Sequence, residues 1–301
     1  MTATATLPAT HVDLLRRPLP AVLTTEMPDG RLQSTVVWCD LDGEHVLINT
    51  MWEFQKARNL RARPHATVLV TEPGDPTRWI EIRARAASDD RDPMVHLDAL
   101  TRRYIGTAPY FGRAVPARLK DVEHPIVYRL VPAVVHTGPM YTHGRRPGSA
   151  VPAVPAPRGC HDEPPIPASH RDLLHAPVTA ALSTRMPDGT AQTQPVWCTV
   201  CGNDVQVNTT RQRRKGRNLA ADPRATILAV DPEDSSRWIE IRGDADLVEH
   251  GAVAHLDHLT RQYTRHQTYY GNIYPAEQRG YETRVIVHIH PRRITCDAIH
   301  R

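Results

Sequence analysis

The hydrophobic and polar positions of the first half of the chain alternate in short runs, broken by strong turn signals. Pro20–Thr25 reads as a strand that ends at Met27-Pro28-Asp29-Gly30, where proline, aspartate and glycine together specify a tight turn. Leu32–Cys39 predicts a second strand, Asp42-Gly43 a hairpin, and His45–Thr50 a third strand. Residues 52–62 carry good helix formers, and Pro64 stands just beyond them as a stop. Ala66–Thr71 predicts a fourth strand, Pro73-Gly74-Asp75-Pro76 a turn, and Trp79–Ala87 a fifth strand. Asp92–Tyr104 has apolar residues at helical spacing, and Ile126–Val135 predicts a sixth strand. Many short strands with few helices point to a small antiparallel barrel.

The same order then recurs 159 residues further on. Pro28-Asp29-Gly30 returns as Pro187-Asp188-Gly189, and Val37-Trp38-Cys39 as Val196-Trp197-Cys198. Arg58-Asn59-Leu60 falls on Arg217-Asn218-Leu219, the Arg78–Arg83 strand on Arg237–Arg242, and His96-Leu97-Asp98 on His255-Leu256-Asp257. A register kept without a gap over more than a hundred residues marks a duplicated domain rather than a short repeat. The expected organisation is a first domain over 1–138, a proline-rich linker over 139–167 and a second domain over 168–301. Proline at the linker's density favours extended polyproline II, which reaches about 3.1 Å per residue.

Composition narrows the function classes. The 301 residues are 40% hydrophobic and 23% charged, with no apolar run long enough to span a bilayer and no secretory pattern at the N-terminus. The expectation is a cytoplasmic protein without a membrane partner. Five scattered cysteines fit a reducing compartment. The formal charge of +4 is spread over both halves, which argues against nucleic acid but suits a small anionic ligand.

Chemistry concentrates at Arg213-Arg214-Lys215, followed by Arg217 and Asn218. The run follows a strand and opens a helix, where cations and backbone N–H groups together favour a phosphate; the plainer reading is a solvated basic face. Asn208 and Thr209 close the preceding strand and offer amide and hydroxyl contacts, or ordinary strand-end hydrogen bonds. The first copy is poorer: Phe54-Gln55-Lys56 replaces the basic run, leaving Lys56, Arg58 and Asn59, and Val36 stands where the second copy has Pro195.

The combination MPDGTAQTQPVWC, VQVNTTRQRRKGRNL and SSRWIEIRGDAD resembles the split-barrel deazaflavin-dependent oxidoreductases, relatives of the pyridoxamine-phosphate oxidases, over nearly all of both copies. The resemblance implies an α+β, mainly β fold of two tandem six-stranded split barrels. It also implies that the chain is an intramolecular pseudo-dimer, a monomer doing the work of two subunits, with further self-association left open. It implies hydride transfer between reduced coenzyme F-420 and a small organic substrate with an activated C=C or C=N bond. The rivals are an FMN-dependent oxidase or reductase and a non-catalytic flavin- or haem-binding barrel.

On the same resemblance Arg213, Arg214 and Lys215 hold the cofactor phosphate with Asn218 in support, Pro195, Val196 and Trp197 lie along the ring, and Gln192 faces ring or substrate. Lys56 and Asn59 are what remains of the site in the first copy. The sequence identifies no catalytic residue or proton donor; Tyr263, Tyr269 and Tyr270 are the tyrosines expected near the cleft. Trp79 and Trp238 are expected to pack the barrels. Cys198 and Cys201 form a CxxC on a strand and its turn, a poor place for a redox pair, and the 17 histidines show no metal-ligand spacing, so no metal is expected.

Overall fold

A computed structural model describes residues 4–138, 163–175 and 177–297. Contacts divide the chain into two units, Met1–Gly138 and Pro139–Arg301. Most of the expected linker, residues 139–162, lies outside the described residues.

The first unit runs α1 (Val12–Arg16), β1 (Ala21–Glu26), β2 (Leu32–Val37), β3 (Cys39–Asp42), β4 (His45–Met51), α2 (Gln55–Ala62), β5 (His65–Glu72), β6 (Asp75–Ser88), α3 (Pro93–Ile105) and β7 (Pro125–Thr137). The second runs β8 (Ala180–Arg185), β9 (Ala191–Val196), β10 (Cys198–Cys201), β11 (Asp204–Thr210), α4 (Arg214–Ala221), β12 (Arg224–Val230), β13 (Trp238–Val248), α5 (Ala252–Tyr263) and β14 (Arg284–Cys296). The first sheet has the order β2-β1-β5-β6-β7-β4-β3. The second, read from its β9 edge, repeats that order strand for strand.

Each sheet has seven strands where the pattern predicts six. The second predicted strand breaks at one residue, Trp38 in the first unit and Trp197 in the second. The break explains the barrel. β2 and β3 are opposite edges of one sheet, yet only Trp38 separates them in the chain. A flat seven-stranded sheet would hold its edges roughly 28 Å apart at about 4.7 Å per strand step. The chain cannot bridge that gap with one residue, so the sheet must curl until its edges approach. β9 and β10, joined by Trp197, impose the same closure on the second unit.

The inward faces form one apolar core per barrel. Leu23, Ile48, Val68, Ile80, Ile82 and Leu130 lie in the first, and Leu182, Val207, Ile227, Ile239, Ile241 and Val287 in the second. Trp79 and Trp238 are buried, as barrel packing predicts. The stretch 163–167, expected to be linker, belongs to the second barrel. Ile166 is buried, its N–H donates to Asn203 Oδ1 at 2.9 Å, and Asn203 Nδ2 donates to the Pro164 carbonyl at 3.1 Å. Leu7, 159 residues earlier, is buried in the same way against the first core, so the duplication starts before the proline-rich composition ends. Among the described residues no helix is long and apolar enough to cross a membrane.

Candidate functional site

β11 delivers Asn208 and Thr209 to its end and stops at Thr210, whose Oγ1 accepts the Arg213 N–H at 3.1 Å. Arg213 is the extended residue that caps α4. The helix then presses onto the strand end, because Gly216 has no Cβ; one placed there would overlap the Thr210 carbonyl oxygen. The first copy has Ala57 at the matching position, so α2 cannot make the same approach.

The close approach brings Arg213 and Lys215 into one recess with Pro195, Val196, Trp197, Asn208, Leu256, Leu259, Tyr269 and Arg284. Six residues expected at a cofactor site therefore meet there: Pro195, Val196, Trp197, Asn208, Arg213 and Lys215. The lining holds three cations and no carboxylate. Its volume is about 30 Å³, room for one water-sized group, so it is a small recess rather than an enclosing pocket.

Arg284 escaped the sequence reading. It opens β14 in an apolar run, TRVIVHIH, where the first copy has Pro125; that exchange was the available signal. It is 5% exposed, and its guanidinium carbon lies 4.7 Å from the Tyr269 ring centroid and 5.4 Å from that of Tyr270. Its Nε donates to Tyr270 Oη at 2.8 Å and its Nη2 to Glu282 Oε2 at 2.8 Å; Tyr270 in turn donates to the same carboxylate oxygen at 3.0 Å. Burial pushes the Tyr270 hydroxyl up to about 12. Arg213 Nη2 lies 3.7 Å from the other oxygen of Glu282. Two guanidiniums thus share one carboxylate, and the Lys215 ammonium adds charge to a site already rich in cations.

Asn208 reaches across to α5. Its Nδ2 donates to the Ala252 carbonyl at 2.7 Å and lies 3.3 Å from His255 Nδ1. Its Oδ1 is buried without a hydrogen-bond partner among the described residues. Burial, reinforced by the neighbouring His258 and His288, holds His255 down at about 4. The ring is therefore neutral near pH 7, with Nδ1 accepting from Asn208.

Other expected residues stand elsewhere. Arg214 is exposed on the helix and does not line the recess. Thr209 is buried and follows Asn208 on the strand, so its side chain leaves by the opposite face. Asn218 and Gln192 bind each other: Asn218 Nδ2 donates to Gln192 Oε1 at 3.3 Å and to Thr184 Oγ1 at 3.0 Å. Asn59 repeats the arrangement with Gln33 and Thr25 at 3.2 and 3.0 Å. These amides fasten each helix to its barrel and find their partners inside the protein. Lys56 holds its ammonium 5.3 Å from the Phe54 ring, on the residue that replaces Arg213.

Tyr263 is a corner brace and not a free proton donor. Its ring stacks on Trp197 at 5.1 Å, and its hydroxyl accepts the Cys198 N–H at 3.1 Å and lies 3.0 Å from the Val178 and Cys198 carbonyls. Burial pushes its pKa far upward. Tyr104 makes the same stack with Trp38 at 5.2 Å. Cys198 is buried and its thiol is raised to about 12, whereas Cys201 is exposed, so the CxxC has one inert member.

The first solved structures to compare are distant. An F420 reductase is 28% identical, covering 43% of this chain and 98% of its own, with a TM-score of 0.38. A conserved hypothetical protein from Mycobacterium tuberculosis is 24% identical over 48% of this chain and 92% of its own, TM-score 0.36. A putative pyridoxamine 5'-phosphate oxidase from Listeria innocua is 16% identical over 42% and 93%, TM-score 0.33. No curated protein matches. The model of the pyridoxamine 5'-phosphate oxidase family matches twice, over residues 7–123 and 166–296, once for each barrel. The chain therefore belongs to the pyridoxamine 5'-phosphate oxidase family, of which it carries two tandem copies.

Proposed function

We propose that the second barrel grips the anionic end of a flavin-type cofactor and that the chain is an oxidoreductase. The deazaflavin F-420 is the first choice of cofactor, on the motif combination around Pro195–Cys198 and Arg213–Leu219. FMN is the alternative, since its phosphate suits the same cations. The observation that carries the reading is the meeting of Arg213, Lys215 and Arg284 in one recess beside Trp197 and Tyr269. The first copy offers Phe54, Lys56 and Pro125 at the matching positions.

When bound, such a cofactor supplies the hydride chemistry itself. The protein's residues hold and orient it. Lys215, Arg213 and Arg284 take the negative charge in a partly dehydrated site, where each is worth more than in water. The buried Oδ1 of Asn208 accepts from a hydroxyl or ring N–H. Pro195, Trp197 and Tyr269 wall off water. With such a cofactor in place, a small substrate with an electron-poor C=C or C=N bond would be the hydride acceptor, and these residues would contribute mainly by positioning the two. The first barrel, short of two cations, serves as scaffold. On the same reading the chain works as a monomer, having two barrels of its own.

The test is titration of the full chain with F-420 and with FMN, followed by cofactor absorbance and fluorescence. Lys215→Ala should weaken the preferred cofactor at least tenfold and Lys56→Ala should not. Binding of neither cofactor overturns the proposal.

A further inference from the structure

Away from the recess, β11, β13 and β14 gather a second set of chemically capable side chains. Asp204 opens β11, and the β11–β14 register, with Val205 opposite Ile289, sets Asp204 opposite His290. His290 Nδ1 lies 2.9 Å from Asp204 Oδ1 and 3.6 Å from Glu163 Oε1. One donor atom from each of Glu163, Asp204 and His290 lies within 4.8 Å of the others. The three side chains are 19–24% exposed, sheltered but open to ions from solvent.

We propose that Glu163, Asp204 and His290 Nδ1 bind one divalent transition-metal ion, zinc in the first instance, with water completing the coordination. Zinc bound to nitrogen and oxygen at about 2.0–2.1 Å places neighbouring donors about 3.3 Å apart in a tetrahedron. The observed separations of 2.9 and 3.6 Å straddle that value, so small side-chain movements seat the ion. One imidazole with two carboxylates selects zinc-like ions over magnesium or calcium, which prefer oxygen alone.

Two further observations show a built site rather than a chance meeting. The other ring nitrogen, His290 Nε2, lies 3.2 Å from Asp246 Oδ2. A carboxylate behind the ring is the arrangement that fixes the orientation of metal-binding histidines. Glu163 is also held in place from its own segment, through the Asn203 clamp on Pro164 and Ile166. The first barrel has Thr4, His45, Val131 and Ala87 at the positions matching Glu163, Asp204, His290 and Asp246, so the set belongs to the second copy alone. The bound ion would lock the start of the second barrel onto β11 and β14, closing the loop from Glu163 to Asp204. Histidine spacing along the chain gave no sign of it, because the ligands come from three separate segments.

Calorimetric titration of the metal-free full chain with Zn2+ tests the proposal. Wild type should show one tight site, absent with Mg2+, and zinc should raise its melting temperature. Asp204→Asn and His290→Gln should each weaken that site at least tenfold, while His45→Gln, at the first barrel's counterpart of Asp204, should leave it intact. If either variant fails to fold, Glu163→Gln, on the segment that leads into the barrel, reads out the same site. Equal zinc binding by wild type and the variants, or no tight site in wild type, overturns the assignment.

Discussion

The guanidinium of Arg284 lies against the Tyr269 ring, its carbon 4.7 Å from the centroid, at 5% exposure. This buried cation is compensated by Glu282 and the Tyr270 hydroxyl, and it lines a recess with two more cations. Replacing it with the neutral Met keeps much of the volume and removes the charge. Arg284→Met should weaken binding of FMN or F-420 at least tenfold and lower stability by about 3 kcal/mol, because Glu282 loses its main partner. Titration and urea denaturation measure the two effects; unchanged affinity would remove Arg284 from the site.

The helix that carries Lys215 takes its position from Gly216. Gly216→Ala sets a methyl group into the Thr210 carbonyl, so α4 must shift. Overpacking of this kind costs about 1–3 kcal/mol, and cofactor affinity should fall with it. The reverse change in the first copy, Ala57→Gly, should cost only about 1 kcal/mol of helix propensity and leave affinity alone. Equal effects of the two substitutions on affinity would contradict the asymmetry between the barrels.

His255 makes the Asn208 contact sensitive to acid. Its folded value is about 4 against an ordinary 6.5, so the unfolded chain binds the proton first. The stability it contributes is whole above pH 6.5 and is lost as pH falls from 6.5 to about 4, by up to about 1.4 kcal/mol per pH unit. Once protonated, Nδ1 becomes a donor facing the Asn208 amide, and the tie between α5 and β11 loosens. Denaturation at about pH 7.5 and about pH 5, on either side of the ordinary histidine value, should show a larger loss for wild type than for His255→Asn. An NMR titration placing His255 near 6.5 would remove the effect.

The duplication was plain in the sequence because Pro-Asp-Gly turns and period-two alternation are local signals. The strands followed for the same reason. The corner at Trp38 and Trp197 was hidden, since a one-residue break leaves the alternation on either side intact. The recess was half legible. The basic run and the Pro195–Trp197 segment were visible as motifs, whereas Arg284 arrives from a strand far along the chain and Asn218 looked free until the fold showed its amide bound to Gln192. Glu163, Asp204 and His290 meet only through strand register, which composition does not encode.

The asymmetry between the two copies predicts that one barrel, the second, carries the anion site. Calorimetry with the preferred cofactor on the intact chain counts sites directly. One cofactor per 33.7 kDa chain is the expected result, lost when Arg213→Phe gives the second barrel the first barrel's residue. Two equivalent sites per chain, or one that survives Arg213→Phe unweakened, would contradict it.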